Sequence, residues 1–196
     1  MAAAELRPPT GLVLISGPGR GGKSAWAEHL ALHAGCPVVY LATGAAADPG
    51  TDPAWSARVD QHQRRRPQGW GSREVGGDLA TALRQLRQEP PGGEPPLLLI
   101  DSLGTWLAWH LEDGAERWQQ RCQELLEQLL LHPAPVLLVV EETGWGVVPP
   151  TAIGGLFRDR LGALQQLLMA HCSGAWLVVA GRALDLLDLS HPVPTL

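Results

Sequence analysis

Apolar residues fall into two alternating patterns along this chain. Short runs that are apolar at nearly every position occupy 11–16, 37–42, 97–101, 135–140 and 175–180. A run apolar throughout, rather than at every second position, predicts a strand covered on both faces. The stretches between them predict helices over 22–34, 53–66, 77–88, 102–111, 114–131 and 151–171. In 114–131, Trp118, Cys122, Leu125, Leu126, Leu129 and Leu130 recur at i, i+4, i+7 and i+8, and Phe157, Leu161, Leu164, Leu167 and Leu168 make a similar stripe later on. Both stripes are expected to face a core, not a partner. Strand and helix alternate, so the economical fold is a single α/β domain spanning 1–196, with a mostly parallel central sheet flanked by helices. The Pro- and Gly-rich segment 90–96 is a loop too short to divide domains, and residues 1–10 are expected to form a flexible N-terminus.

Composition narrows this further. The chain has 196 residues, 45% of them hydrophobic, which is enough for one full core. No apolar run approaches the roughly 20 residues of a membrane span, and no hydrophobic stretch precedes the first strand to suggest a secretory signal. Cys36, Cys122 and Cys172 are few, odd in number and far apart, so buried thiols in a reducing cytoplasm are expected. A net charge of −5 argues against a general nucleic-acid binder, with Arg64-Arg65-Arg66 a local exception. Eight Trp stand against one Phe and one Tyr. Trp26, Trp106, Trp109, Trp118 and Trp176 fall in predicted elements and are expected in the core. Trp70 and Trp145, among glycines, are the better candidates to line a site.

The sharpest chemical signal is Gly17-Pro18-Gly19-Arg20-Gly21-Gly22-Lys23-Ser24, a phosphate-binding loop between an apolar strand and a helix start. Fourteen of the fifteen Lys and Arg residues are arginine, and the single lysine is Lys23. A compact ammonium reaches β- and γ-phosphates where a planar guanidinium fits poorly. Ser24 is expected to place its hydroxyl on Mg²⁺, and Asp101, ending the apolar strand 97–101, to share that ion. Ligands of open parallel sheets sit beyond the strand ends, which also selects Thr43-Gly44-Ala45 and Glu141-Glu142. From the residues alone, the two glutamates fit base, metal partner, base reader or plain loop charge.

Within 57–67, Arg58, His62 and Arg66 lie along one helical face. Arginines around an imidazole disfavour a second cation, and a neutral imidazole is a nucleophile. The same pattern equally fits a solvated basic helix carrying an incidental histidine. The other six histidines have no comparable setting.

The order of these motifs resembles the bifunctional adenosylcobinamide kinase / adenosylcobinamide-phosphate guanylyltransferase of cobalamin biosynthesis. The likeness runs through the phosphate loop, Tyr40-Leu41-Ala42-Thr43, Arg58-Val59 with His62 and Arg66-Pro67, Gly144-Trp145-Gly146 with Pro149, and Phe157-Arg158-Asp159. It implies a RecA-like P-loop domain, in the cytoplasm, assembling as a homotrimer. It also implies two reactions: phosphorylation of adenosylcobinamide by ATP or GTP, and GMP transfer from GTP through a guanylylated His62 to adenosylcobinamide phosphate. By the same resemblance Thr43, Gly44, Ala45, Gln63, Arg64, Arg65, Arg66, Glu74 and Asp101 match nucleotide-binding positions, alongside Gly17 to Ser24, with Lys23 and His62 catalytic. Two other functions compete. A small-molecule kinase would leave His62 on the surface. A GTP switch would read guanine with Asn-Lys-x-Asp, which a chain without asparagine cannot build.

Overall fold

The structure is a computed structural model that describes residues 6–45, 52–88, 93–146 and 149–194. Within it lie β1 (Leu12–Gly17), α1 (Lys23–His33), β2 (Val38–Ala42), α2 (Pro53–Arg65), β3 (Gly71–Glu74) and α3 (Leu79–Gln88). They are followed by β4 (Leu97–Asp101), α4 (Leu103–Trp109), α5 (Ala115–Leu130), β5 (Val136–Glu141), α6 (Ala152–Met169), β6 (Gly174–Val179), β7 (Arg182–Asp185) and α7 (Leu186–Leu189). The strands form one sheet in the order β3-β2-β4-β5-β1-β6-β7, parallel except for the β6–β7 pair.

The continuous apolar runs have the predicted cause. Successive residues of each inner strand enter different cores. Leu12, Leu14, Leu98, Ile100, Leu138 and Val140 face α3, α4, α5 and α6. Val13, Ile15, Leu97, Leu99, Leu137 and Val139 face Ala27, Leu30 and Ala31 of α1. Leu99 and Leu137 are fully buried, each contributing about 1.5–3 kcal/mol of apolar burial.

Two expectations need correction. Trp109 is on a predicted helix but is 54% exposed, because its indole N–H leaves the core to donate to the Thr43 carbonyl. Trp70 packs against the α1-side core and Trp145 lies in solvent, so neither lines the cavities described below. His110, which has no arginine-flanked setting in the sequence, is buried, with its Nε2 2.9 Å from the Gly77 carbonyl oxygen and Asp113 3.8 Å from its Nδ1. Burial holds its pKa below the ordinary imidazole value, partly opposed by the Gly77 carbonyl. Of the thiols, Cys122 is buried while Cys36 and Cys172 are half-buried, and all three are free. At the N-terminus, Leu6 packs against the α1-side core.

Candidate active site

The chain turns sharply after β1 and passes directly over β6. A Cβ on Gly17 would meet the Val178 carbonyl oxygen at 2.1 Å, and one on Gly21 would meet it at 2.6 Å. Only glycine permits that approach, and the Gly21 amide closes the turn by donating to the Pro18 carbonyl at 3.1 Å. Gly22, at φ +107°, caps α1. With no acidic side chain in its first turn, α1 keeps its positive end for an anion. Lys23 opens the helix, is 7% exposed, and donates from Nζ to the Pro18 carbonyl at 2.9 Å.

Beyond β5, beside β1, the paired glutamates separate in function. The Glu141 carboxylate accepts from Ser102 Oγ at 2.5 Å and from the Gly104 amide at 3.1 Å, so it caps α4. Ser102 itself forms a capping box with Thr105. Glu142 turns to the loop. Its amide donates to the Gly17 carbonyl at 2.8 Å, and its carboxylate pairs with the Ser16 hydroxyl in the field of Lys23. Burial pushes its pKa up, against the opposing pull of Ser16 and Lys23.

The last turn of α2 covers the ends of β2 and β4. His62 Nδ1 lies 3.8 Å from Asp101 Oδ2, which also accepts from the Tyr40 hydroxyl at 2.8 Å. Burial, then the Asp101 charge, raises the Tyr40 pKa, so the phenol stays a donor. The guanidinium of Arg66 stacks 3.5 Å from the Tyr40 ring centroid and donates to Ser72 Oγ at 2.8 Å. Arg65 donates to Glu28 of α1 at 3.1 Å. Burial raises the Glu28 pKa despite that arginine. Both arginines therefore anchor the end of α2, while the imidazole faces the Asp101 carboxylate. The Arg58 side chain lies outside the described residues.

Two cavities meet at His62. The first holds Arg20, Gly21, Gly22, Lys23, Ser24 and Arg65, a cationic setting suited to polyphosphate. The second holds Gly19, Gly44, Ala45, Gln63, Arg66, Glu74 and Asp101, with Tyr40 and Val59 supplying a ring and an apolar wall. His62 borders both. Thr43 is buried beneath, its hydroxyl bonded to the Ser102 carbonyl at 2.6 Å. Gly17 and Pro18 shape the turn without lining either cavity, and Arg64 is exposed and lines neither. Reading of the sequence gave no role to Tyr40, Glu28, Ser102 or Thr105. The lone tyrosine, on an apolar strand beside the Thr43 turn, was the available signal for the first of these.

The family described as cobinamide kinase / cobinamide phosphate guanyltransferase matches residues 13–186. The bifunctional adenosylcobalamin biosynthesis protein CobP of Pseudomonas aeruginosa is 36% identical over 174 residues, 88% of this chain and 95% of that protein. CobU of Salmonella typhimurium, described in the same words, is 32% identical over 182 residues, 87% of this chain and 96% of its own length. Among solved structures, an ATPase from the type III secretion system of pathogenic bacteria superposes with a TM-score of 0.51 at 16% identity, over 85% of this chain and 50% of that one. That is a likeness of fold alone, and it agrees with the single, mostly parallel α/β domain expected.

Proposed function

This chain belongs to the cobinamide kinase / cobinamide phosphate guanyltransferase family, a bifunctional enzyme of cobalamin biosynthesis, and from that premise we propose how its own residues divide the work. GTP lays its triphosphate on the turn from Gly17 to Ser24, with Lys23 and Arg65 offsetting phosphate charge. The nucleoside lies along the second cavity, past Thr43, Gly44 and Ala45 and beside Gln63, Arg66 and Glu74. His62 Nε2 forms a bond to the α-phosphorus, the bond from that phosphorus to the bridging oxygen breaks, and pyrophosphate departs. GMP remains on the ring as a phosphoramidate. Asp101 faces Nδ1 and holds the ring proton there, once the 3.8 Å separation closes with nucleotide bound. An oxygen of adenosylcobinamide phosphate then displaces the ring and yields adenosylcobinamide-GDP. In the companion reaction, ATP or GTP phosphorylates the aminopropanol hydroxyl of adenosylcobinamide.

The residues present fit Mg²⁺ carried on the nucleotide. Ser24 borders one cavity and Asp101 the other, with His62 between them. One hydroxyl and one carboxylate suit an ion that takes most of its ligands from water and phosphate. When bound, the ion neutralises phosphate charge.

The single observation carrying this reading is that one imidazole borders both the phosphate turn and the tyrosine-walled cavity. Incubation with α-labelled GTP tests it: the protein takes up acid-labile, base-stable label, His62→Ala takes up none, and His62→Ala retains most phosphorylation of adenosylcobinamide. Unlabelled wild-type protein that still phosphorylates would leave only a kinase.

The homotrimer and the cytoplasmic site belong to the same proposal. Leu184, Leu187 and Leu189 are exposed near the C-terminus and support burial against other copies. Three free thiols, and no helix among the described residues apolar and long enough to cross a membrane, support a reducing cytoplasm.

A further inference from the structure

Glu142 has no part in the steps above, yet its backbone is among the most firmly held at the site. Its amide is fixed by the Gly17 carbonyl at 2.8 Å. The preceding carbonyl, of Glu141, accepts from Gln165 Nε2 at 3.2 Å, and the Glu141 side chain is tied to Ser102 and Gly104. A carboxylate mounted on such backbone is pre-positioned. On one side it meets Ser16 and the field of Lys23. On the other it lines an open groove with Thr143, Arg158 and Gln166, along the middle of α6.

We propose that this groove receives the hydroxyl-bearing end of the phosphoryl acceptor, that Glu142 is the catalytic base of the phosphorylation step, and that Arg158 holds the phosphate group formed. The inference rests on the triphosphate seat described under the proposed function. A phosphate-loop lysine reaches the β- and γ-phosphates, so a carboxylate in the field of Lys23 lies toward the terminal phosphates, whereas His62 approaches from α2. The acceptor oxygen forms a bond to the γ-phosphorus. The bond from that phosphorus to the β–γ bridging oxygen breaks, and the nucleoside diphosphate leaves with the electron pair. The hydroxyl proton passes to a Glu142 oxygen and later to water. Burial, by raising the affinity of Glu142 for a proton, favours this role. Arg158 is one-third exposed and pairs at 3.3 Å with Asp159, which is 71% exposed. A solvent-screened partner of that kind is readily exchanged for a phosphate.

The test uses full-length protein, adenosylcobinamide and ATP, with α-labelled GTP as a separate probe. Glu142→Gln is isosteric; it is expected to lower kcat for phosphorylation by roughly 10²- to 10⁴-fold while His62 still takes up label, which also reports an intact nucleotide seat. Arg158→Ala is expected to raise KM for adenosylcobinamide about tenfold, a loss of about 1.4 kcal/mol of binding, with kcat little changed. Phosphorylation by Glu142→Gln within fivefold of wild type would overturn the proposal. So would parallel loss of phosphorylation and labelling, which would place Glu142 in the shared seat. An unchanged acceptor KM in Arg158→Ala would remove the groove from the proposal's support and overturn its acceptor assignment. Failure of wild-type protein to label would refute the His62 reading alone, because the phosphorylation measurements stand apart from it.

Discussion

Replacing Lys23 with methionine removes the chain's one lysine while keeping a similar buried volume. Two unit charges about 4 Å apart at an effective dielectric constant near 20 attract by roughly 4 kcal/mol. Glu142 lies in the same field and offsets part of this before nucleotide arrives. The net loss on binding a triphosphate is therefore about 2–4 kcal/mol, a weakening of about 30- to 700-fold. Lys23→Arg retains the charge, but a planar fork replaces a point donor that now reaches the Pro18 carbonyl from a 7% exposed position. It is expected to fall between the two. Calorimetric titration with GTP measures the affinity, and phosphorylation and protein labelling should fall together. Binding by Lys23→Met within threefold of wild type would show that the loop amides and arginines hold the triphosphate without the ammonium.

Gly21→Ala sets a methyl against the Val178 and Pro18 carbonyl oxygens, which are backbone and cannot rotate away. The turn must shift, so nucleotide binding should drop at least tenfold, about 1.4 kcal/mol; calorimetry with GTP checks it, and near-wild-type affinity would show that the loop yields. His110 gives a pH prediction. Its folded pKa is below the ordinary 6.5, so the unfolded chain binds more protons between the folded value and about 6.5. Stability therefore falls as pH drops through that window. His132, also depressed by burial, acts in the same direction. In urea titrations from about pH 7.5 to 5.5, His110→Gln should show a shallower decline than wild type, and equal slopes would refute the assignment.

The five inner strands were legible because burial on both faces leaves no polar position to hide them. β3 and β7 were not. Gly71-Ser72-Arg73-Glu74 carries no apolar pattern, and it becomes a strand only because β2 offers its backbone edge. The phosphate loop is contiguous and could be read directly. The setting of His62 could not, since Asp101 is 39 positions away and Tyr40 lies on another strand. Sequence spacing placed Arg66 on the histidine's helical face, but its side chain reaches past the ring to Tyr40 and Ser72, as that of neighbouring Arg65 does to Glu28. Trp109 misled for a similar reason: an indole has a polar edge as well as an apolar body, and here the Thr43 carbonyl claims it.

Both rims of the sheet end on strands of only four residues, one bearing Arg73 and Glu74, the other Arg182 and Asp185. Such brief, charged borders offer an incoming strand little to zip onto. A protein whose middle is so rich in leucine and valine ribbons is thereby kept from templating fibres in a crowded cell. Lengthening either rim with apolar residues would trade that protection away.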